Sequence, residues 1–227
     1  MIRISDKLLA LGREAEADLA AQFSRVDAIA MKNTQKVLSS FQKHRVAEGD
    51  FVGTTGYGYD DEGRDKLERI YTDIFGTKDA LVRLQFVNGT HAITAALFGC
   101  LRPGDTLVSA VGAPYDTMLG VIGVTDKGPG SLREYGVNYC EVPLLDNAPD
   151  KRGIAEAVKR PGVKAVLLQR SRGYATRASL PVETIGELCA VIREANPKVH
   201  ILVDNSYGEF VEELEPTQVG ADLVVGS

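Results

Sequence analysis

From residue 80 onward, short apolar runs alternate with stretches of helical spacing, and no other feature of the sequence narrows the possible folds so far. The runs are "ALVRLQFV", "DTLVSAV", "VNYCEVPL", "KAVLLQRS", "HILVDNS" and "ADLVVGS". Between them the pattern predicts helices over 91–101, 114–120, 154–160 and 182–195. Runs of this length, apolar almost throughout, suit strands buried on both faces. Strand and helix in turn require right-handed crossovers between parallel strands. The expected fold is therefore α/β, a mostly parallel sheet with helices on both faces.

The chain begins differently. Leu8, Leu11, Ala15, Leu19 and Phe23 recur at steps of three and four, which predicts helix over 5–44. The segment "GDFVGTTGYGYDDEGR" then breaks the period with five glycines and carries Tyr57 and Tyr59. It reads as a loop that joins a helical N-terminal arm, 1–50, to a main domain, 51–227, whose first helix covers 60–75. An amphipathic arm needs an apolar partner, and a loop so rich in glycine cannot pack its own core. A neighbouring subunit would supply both, so a homodimer at least is expected.

Composition excludes several classes. Of 227 residues 44% are hydrophobic, enough for a buried core, and the formal net charge is -5. Lysines and arginines are dispersed, so the basic footprint of a nucleic-acid site is missing. Cys100, Cys140 and Cys189 are far apart and odd in number, which reads as reduced thiols in a cytoplasmic protein and leaves no zinc spacing. The N-terminus is charged every few residues, so neither a signal peptide nor a membrane span is expected there.

In parallel sheets ligands collect at the carboxyl ends of the strands. Four polar stretches fall at such ends: "NGTH", "GAPY", "QRSRGY" and "DNSYGE", with Ser227 closing the last apolar run. In "NGTH", Gly89 would let backbone approach a ligand, and the free N–H groups of the first helical turn, with the Thr90 hydroxyl and His91 beside it, would receive a phosphate. A plain helix cap explains the same letters. Asp204 follows three aliphatic residues and needs a partner if buried. A capping role, a metal ligand, a ribose acceptor and the partner of a protonated ring nitrogen are all open to it. No second carboxylate or histidine stands near it in a metal-ligating spacing, and "NGTHAI" lacks the glycine pattern of a dinucleotide site.

Taken jointly, "GTTGYGYDDEGRDKLERIY", "FVNGTHAI", "GAPYDTM", "RGYATRASL" and "ILVDNSYGEF" resemble the methionine gamma-lyase-related or aluminium-resistance family, kin of the cystathionine lyases. The likeness extends over nearly the whole chain. It implies the large domain of a fold-type-I pyridoxal-phosphate enzyme, and a carbon–sulfur lyase acting on a sulfur-containing amino acid.

By that resemblance Gly89, Thr90, His91 and Ser227 would hold the cofactor phosphate, Tyr115 would stack on the ring, and Asp204 would keep the pyridine nitrogen protonated. Tyr57 and Tyr59 would reach the neighbouring subunit's phosphate, in a homodimer or dimer of dimers. Arg172 would approach the ring hydroxyl or the substrate; a surface arginine fits its place in the sequence as well. The lysine that carries the cofactor is expected about three residues beyond Ser227, followed by a smaller C-terminal domain, so the catalytic lysine and that domain would lie outside this chain. An aminotransferase or aldolase of the same fold would share these cofactor residues, and a non-catalytic domain binding some other phosphate remains a further reading.

Overall fold

Along the strands the apolar side chains alternate between two faces of a sheet. Leu107, Ala165, Leu167 and Leu202 fall in one buried cluster, while Val108, Val166, Leu168, Ile201 and Val203 fall in the other. The computed structural model describes residues 4–57, 61–125 and 129–227. In it β1 (Thr106–Ser109), β2 (Asn138–Glu141), β3 (Val163–Gln169), β4 (His200–Asp204) and β5 (Leu223–Val225) form one sheet of order β2-β1-β3-β4-β5. All four pairings are parallel. As a parallel sheet must be, it is covered on both faces.

On one face lie α4 (Gly89–Cys100) and α5 (Asp116–Ile122), which contribute Ile93, Leu97, Met118 and Ile122. On the other lie α6 (Lys151–Val158) and α7 (Val182–Ala195), which contribute Ile154, Val158, Ile185, Leu188 and Ile192. The result is the three-layered α/β architecture expected from the sequence, preceded by a helical arm.

That arm is two helices, α1 (Asp6–Asp18) and α2 (Ala20–Lys43), which part at Leu19. None of the α1 side chains is buried, and Leu8, Leu11 and Phe23 stay exposed. α2 is tied down by polar groups instead. The Asn33 amide donates to the carbonyls of Phe210 and Glu212 at 2.9 and 3.0 Å, and Lys36 donates to the carbonyl of Glu213 at 2.8 Å. α3 (Glu62–Phe75) starts at the Asp61 cap and ends at Gly76, whose positive φ turns the chain away.

One apolar run is not a strand. Residues 80–87, "ALVRLQFV", form no regular element, and Leu84 is 98% exposed. The backbone N–H of Val82 donates to the Glu68 carboxylate at 3.0 Å, Arg83 pairs with the same carboxylate, and Phe86 turns back on the Arg83 carbonyl. With its backbone held by α3 and by its own turn, the segment joins no ladder, and the sheet has five strands among the described residues. No described helix is long and apolar enough to cross a membrane.

Leu97 is fully buried where α4 meets the sheet. Its replacement by alanine is expected to cost about 2–5 kcal/mol through lost transfer energy and a cavity, read as a lower midpoint in urea unfolding.

Candidate functional site

The chain reverses its direction of travel across the sheet between β1 and β3, since β2 lies outside β1 while β4 and β5 follow on the other side. In open α/β sheets the crevice at such a reversal is where ligands bind. The β3–β4 register sets Gln169 against Asp204, and β4–β5 sets Asp204 against Val225, two residues before Ser227. These ends therefore stand level.

Asn88 starts α4 as its N-cap, its side-chain oxygen accepting the His91 N–H at 2.8 Å. The capping reading of "NGTH" is thus correct, and Gly89 stands against Ser227, beyond the end of β5. A Cβ built on Gly89 would stand 3.0 Å from Ser227 Oγ and 3.8 Å from Ser206 Oγ. Only a glycine admits so close an approach without displacing Ser227. The Thr90 hydroxyl lies 3.0 Å from that of Tyr115. His91 turns elsewhere: its ring accepts from the Val87 N–H at 3.3 Å and meets the edge of Phe86.

Tyr115 is half-buried and rests on the core cluster beneath α4 and α5. Its backbone N–H donates to Gln169 Oε1 at 2.8 Å, and Gln169 Nε2 donates to the Ser171 carbonyl at 3.0 Å. Burial pushes the Tyr115 phenol above its ordinary value, the bond with Thr90 opposes this, and the nearby charge of Asp204 adds to it. Asp204 is 4% exposed and accepts a 3.1 Å bond from the Ser206 N–H. Desolvation raises its pKa, and no described cation pairs with it.

Gly89, Thr90, Tyr115, Asp204 and Ser227 thus gather at one edge of the sheet. Arg172 does not join them and stands exposed in the loop after β3. Two neighbouring arginines are buried instead. Arg177 donates to the carbonyls of Gln169 and Ser171 at 2.7 Å each, fastening that loop to the end of β3. Arg170 donates to Asn205 Oδ1 at 2.7 Å and the Gly208 carbonyl at 2.6 Å, and pairs with Glu212 at 2.6 Å. Tyr57 is 84% exposed, and Tyr59 lies outside the described residues. Sequence reasoning passed over Gln169 and Ser206, although both stand inside the strand-end stretches it had selected. Among the described residues no group of three or more His, Cys, Asp or Glu side chains could hold a metal ion, and the three cysteines are free.

Comparison with known proteins shows the family. The family model for methionine gamma-lyase matches residues 8–227. The YnbB protein of Bacillus subtilis, itself uncharacterized, is 47% identical over 216 residues, 94% of this chain and 51% of its own length. A crystal structure from Clostridium acetobutylicum, described as a candidate cystathionine beta-lyase involved in aluminum resistance, is 49% identical with a TM-score of 0.95 over 98% of this chain and 54% of that one. A carbon-sulfur lyase involved in aluminum resistance from Clostridium novyi is 43% identical with a TM-score of 0.93, over 97% of this chain and 53% of that one. The chain belongs to the methionine gamma-lyase family, and it spans about half the length of these relatives.

Because the folded-state pKa of Asp204 is raised, the folded protein holds that proton more tightly than the unfolded chain. Stability is fullest below the ordinary carboxylate pKa and is lost as pH rises through the folded value. Asp204→Asn should therefore stabilise the protein at neutral pH, read as a higher midpoint in urea unfolding. The gain should vanish when urea unfolding is repeated below the ordinary carboxylate range.

Proposed function

We propose, on the premise of that family membership, that the intact protein is a pyridoxal-phosphate-dependent carbon–sulfur lyase that eliminates a thiol from a sulfur-containing amino acid. In this reading the enzyme is cytoplasmic and the chain carries most of its cofactor site. The observation that carries the reading is the pairing of two unlike subsites at one sheet edge. One is the contact between Gly89 and Ser227 at the start of α4; the other is a buried Asp204 without a described cationic partner.

Those residues fit the cofactor. The space above Gly89 that a Cβ would fill is bordered by the Ser227 and Ser206 hydroxyls and lies at the start of a helix of 12 residues, the environment a phosphate dianion prefers. Asp204 is a strong acceptor that has lost its water, so a protonated ring nitrogen would offset the desolvation. Once bound, the cofactor supplies an electron sink for the pair left when a substrate Cα loses its proton.

The remaining work belongs to the protein. Asp204 would hold a proton at the pyridine nitrogen, so its carboxylate must stay ionised in the complex although burial alone favours the neutral acid. The half-buried Tyr115 ring would lie against a face of the cofactor and keep water from it, with its backbone fixed by Gln169. Thr90, hydrogen-bonded to that tyrosine in this structure, would exchange the contact for a phosphate oxygen.

Assembly follows from the same reading. The unburied apolar side of α1 and the exposed Tyr57 would be covered by a second copy in a homodimer or dimer of dimers. Tyr57 or Tyr59 would then reach the partner's phosphate site.

Two outcomes are expected. Intact protein given methionine or cystathionine should release thiol, ammonia and 2-oxo acid in equal amounts, whereas transamination would release no ammonia. Asp204→Ala should slow that release by roughly 100-fold or more, the order seen when a group that sustains proton transfer is removed. Separately, mixing inactive Asp204→Ala subunits with inactive Tyr57→Phe/Tyr59→Phe subunits should restore activity. No recovery from mixed oligomers would place the tyrosines outside the shared site.

A further inference from the structure

Beyond the end of β5 two glycines each make room for a side chain from a facing element. Gly89, at the start of α4, admits Ser227. Gly226 admits Glu209, from the turn after β4: a Cβ built on Gly226 would overlap Glu209 Oε1 and stand 3.1 Å from its Cδ. The φ of Gly226 lies outside the left-handed region, so space alone asks for a glycine here. The Gly226–Ser227 segment is thus held from two sides, by α4 through Ser227 and by the turn through Glu209.

Glu209 is itself firmly placed. The fully buried Glu215 accepts from the Phe210 N–H at 2.8 Å, and Arg170 donates to the Gly208 carbonyl at 2.6 Å, so the backbone is fixed on both sides of residue 209. Its Oε1 is sealed from solvent and has no hydrogen-bond partner among the described residues. A partner added at the surface cannot reach an oxygen that is already enclosed, so this lack does not depend on what else covers the domain. An ionised carboxylate there would leave a charged oxygen unpaired, and the neutral acid carries a far smaller penalty. The surroundings lean the same way. Burial comes first in raising the Glu209 pKa, and the carboxylates of Glu215 and Asp204 add to it. The residue's own backbone N–H and Arg170 oppose the rise, but Arg170 commits its donors to Asn205, Gly208 and Glu212.

We propose that Glu209 is a positioning residue of the phosphate subsite: as a neutral acid in the space left by Gly226 it keeps Ser227 against Gly89, and cofactor binding draws a proton onto it. The inference rests on the lyase reading and extends it to a residue that acts through Ser227. Asp204 paired with a protonated ring nitrogen is neutral overall, so the phosphate dianion is the ligand charge that Glu209 feels. That dianion favours the neutral acid more strongly than the empty site does. Affinity is therefore fullest at low pH, where Glu209 already holds its proton, and falls as pH rises through the value Glu209 has in the empty site.

The test titrates intact protein, freed of cofactor, with pyridoxal phosphate and with pyridoxal, which lacks the phosphate. Kd is read from the absorption of the bound ligand between about pH 5 and about pH 9, a range that starts just above the ordinary carboxylate pKa. Glu209→Gln, which keeps the shape of the neutral acid, should match wild type at the acid end. At the alkaline end it should bind pyridoxal phosphate about tenfold more tightly than wild type, as follows from a tenfold difference in proton affinity between the empty and the filled site. Glu209→Ala, which leaves Gly226 unsupported, should weaken pyridoxal phosphate about fivefold at the acid end, because Ser227 loses its fixed position. Pyridoxal should bind all three proteins alike. A ratio between wild type and Glu209→Gln that stays constant with pH, or an equal response to pyridoxal, would overturn the proposal. So would Glu209→Ala binding as tightly as Glu209→Gln at the acid end, by showing that Ser227 keeps its place unaided. Wild-type protein that binds no pyridoxal phosphate at any pH would overturn the lyase reading and this inference with it.

Discussion

The parallel pairing of β3 with β4 is the constraint on which the site depends. It places Gln169 beside Asp204 and extends past both strands, with the Arg170 N–H bonded to the Asp204 carbonyl and the Asn205 N–H to that of Val225. Side chains alternate between the faces of the sheet with a period of two, so a slip of one residue would turn the Asp204 carboxylate to the opposite face. The buried aliphatics of β3 and β4 fill both core clusters, which makes such a slip costly. The same hydrophobic pattern that fixes the fold thus fixes the height and direction of the buried acid at the end of β4.

Polar groups then divide the labour around that acid. Arg170 and Arg177 look alike in sequence and are equally buried, but Arg170 spends its donors on the turn after β4 and Arg177 on the loop after β3. Each fastens an irregular segment through its backbone carbonyls, Gly208 for Arg170 and Gln169 and Ser171 for Arg177. Two acids are the exceptions: Glu209, whose buried Oε1 has no hydrogen-bond partner among the described residues, and Asp204, with a bond from Ser206 and no described cation. Of the two, Asp204 stands at the strand end beside the Gly89–Ser227 contact, and a buried acid without a cation there is a place for a ligand.

Much of this was legible in the sequence. α7 occupies 182–195 as expected, because its apolar residues keep helical spacing between a proline and a polar turn. Five of the six apolar runs became strands for the same kind of reason. Residues 80–87 failed because composition does not record what a neighbouring carboxylate does: Glu68 takes the Val82 N–H that a ladder would need. Gly89 and Asp204 were readable as a backbone approach and a strand-end acid. Arg172 could not be ranked against Arg170 and Arg177, since three arginines within eight residues carry no periodicity to say which turns inward. The turn after β4, with Tyr207 at φ +70°, was invisible too, because it is held by bonds from Arg170 to the Gly208 carbonyl and from the Phe210 N–H to Glu215, which no local sequence preference records.

The most direct measurement is a crystal structure of the intact protein with pyridoxal phosphate bound. The ring nitrogen should lie within hydrogen-bonding distance of the Asp204 carboxylate, and the phosphate should sit on Gly89, Thr90 and Ser227. A phosphate bound at another edge of the sheet, or a ring nitrogen facing any group other than Asp204, would contradict the central claim that β3, β4 and β5 align these residues to hold one cofactor.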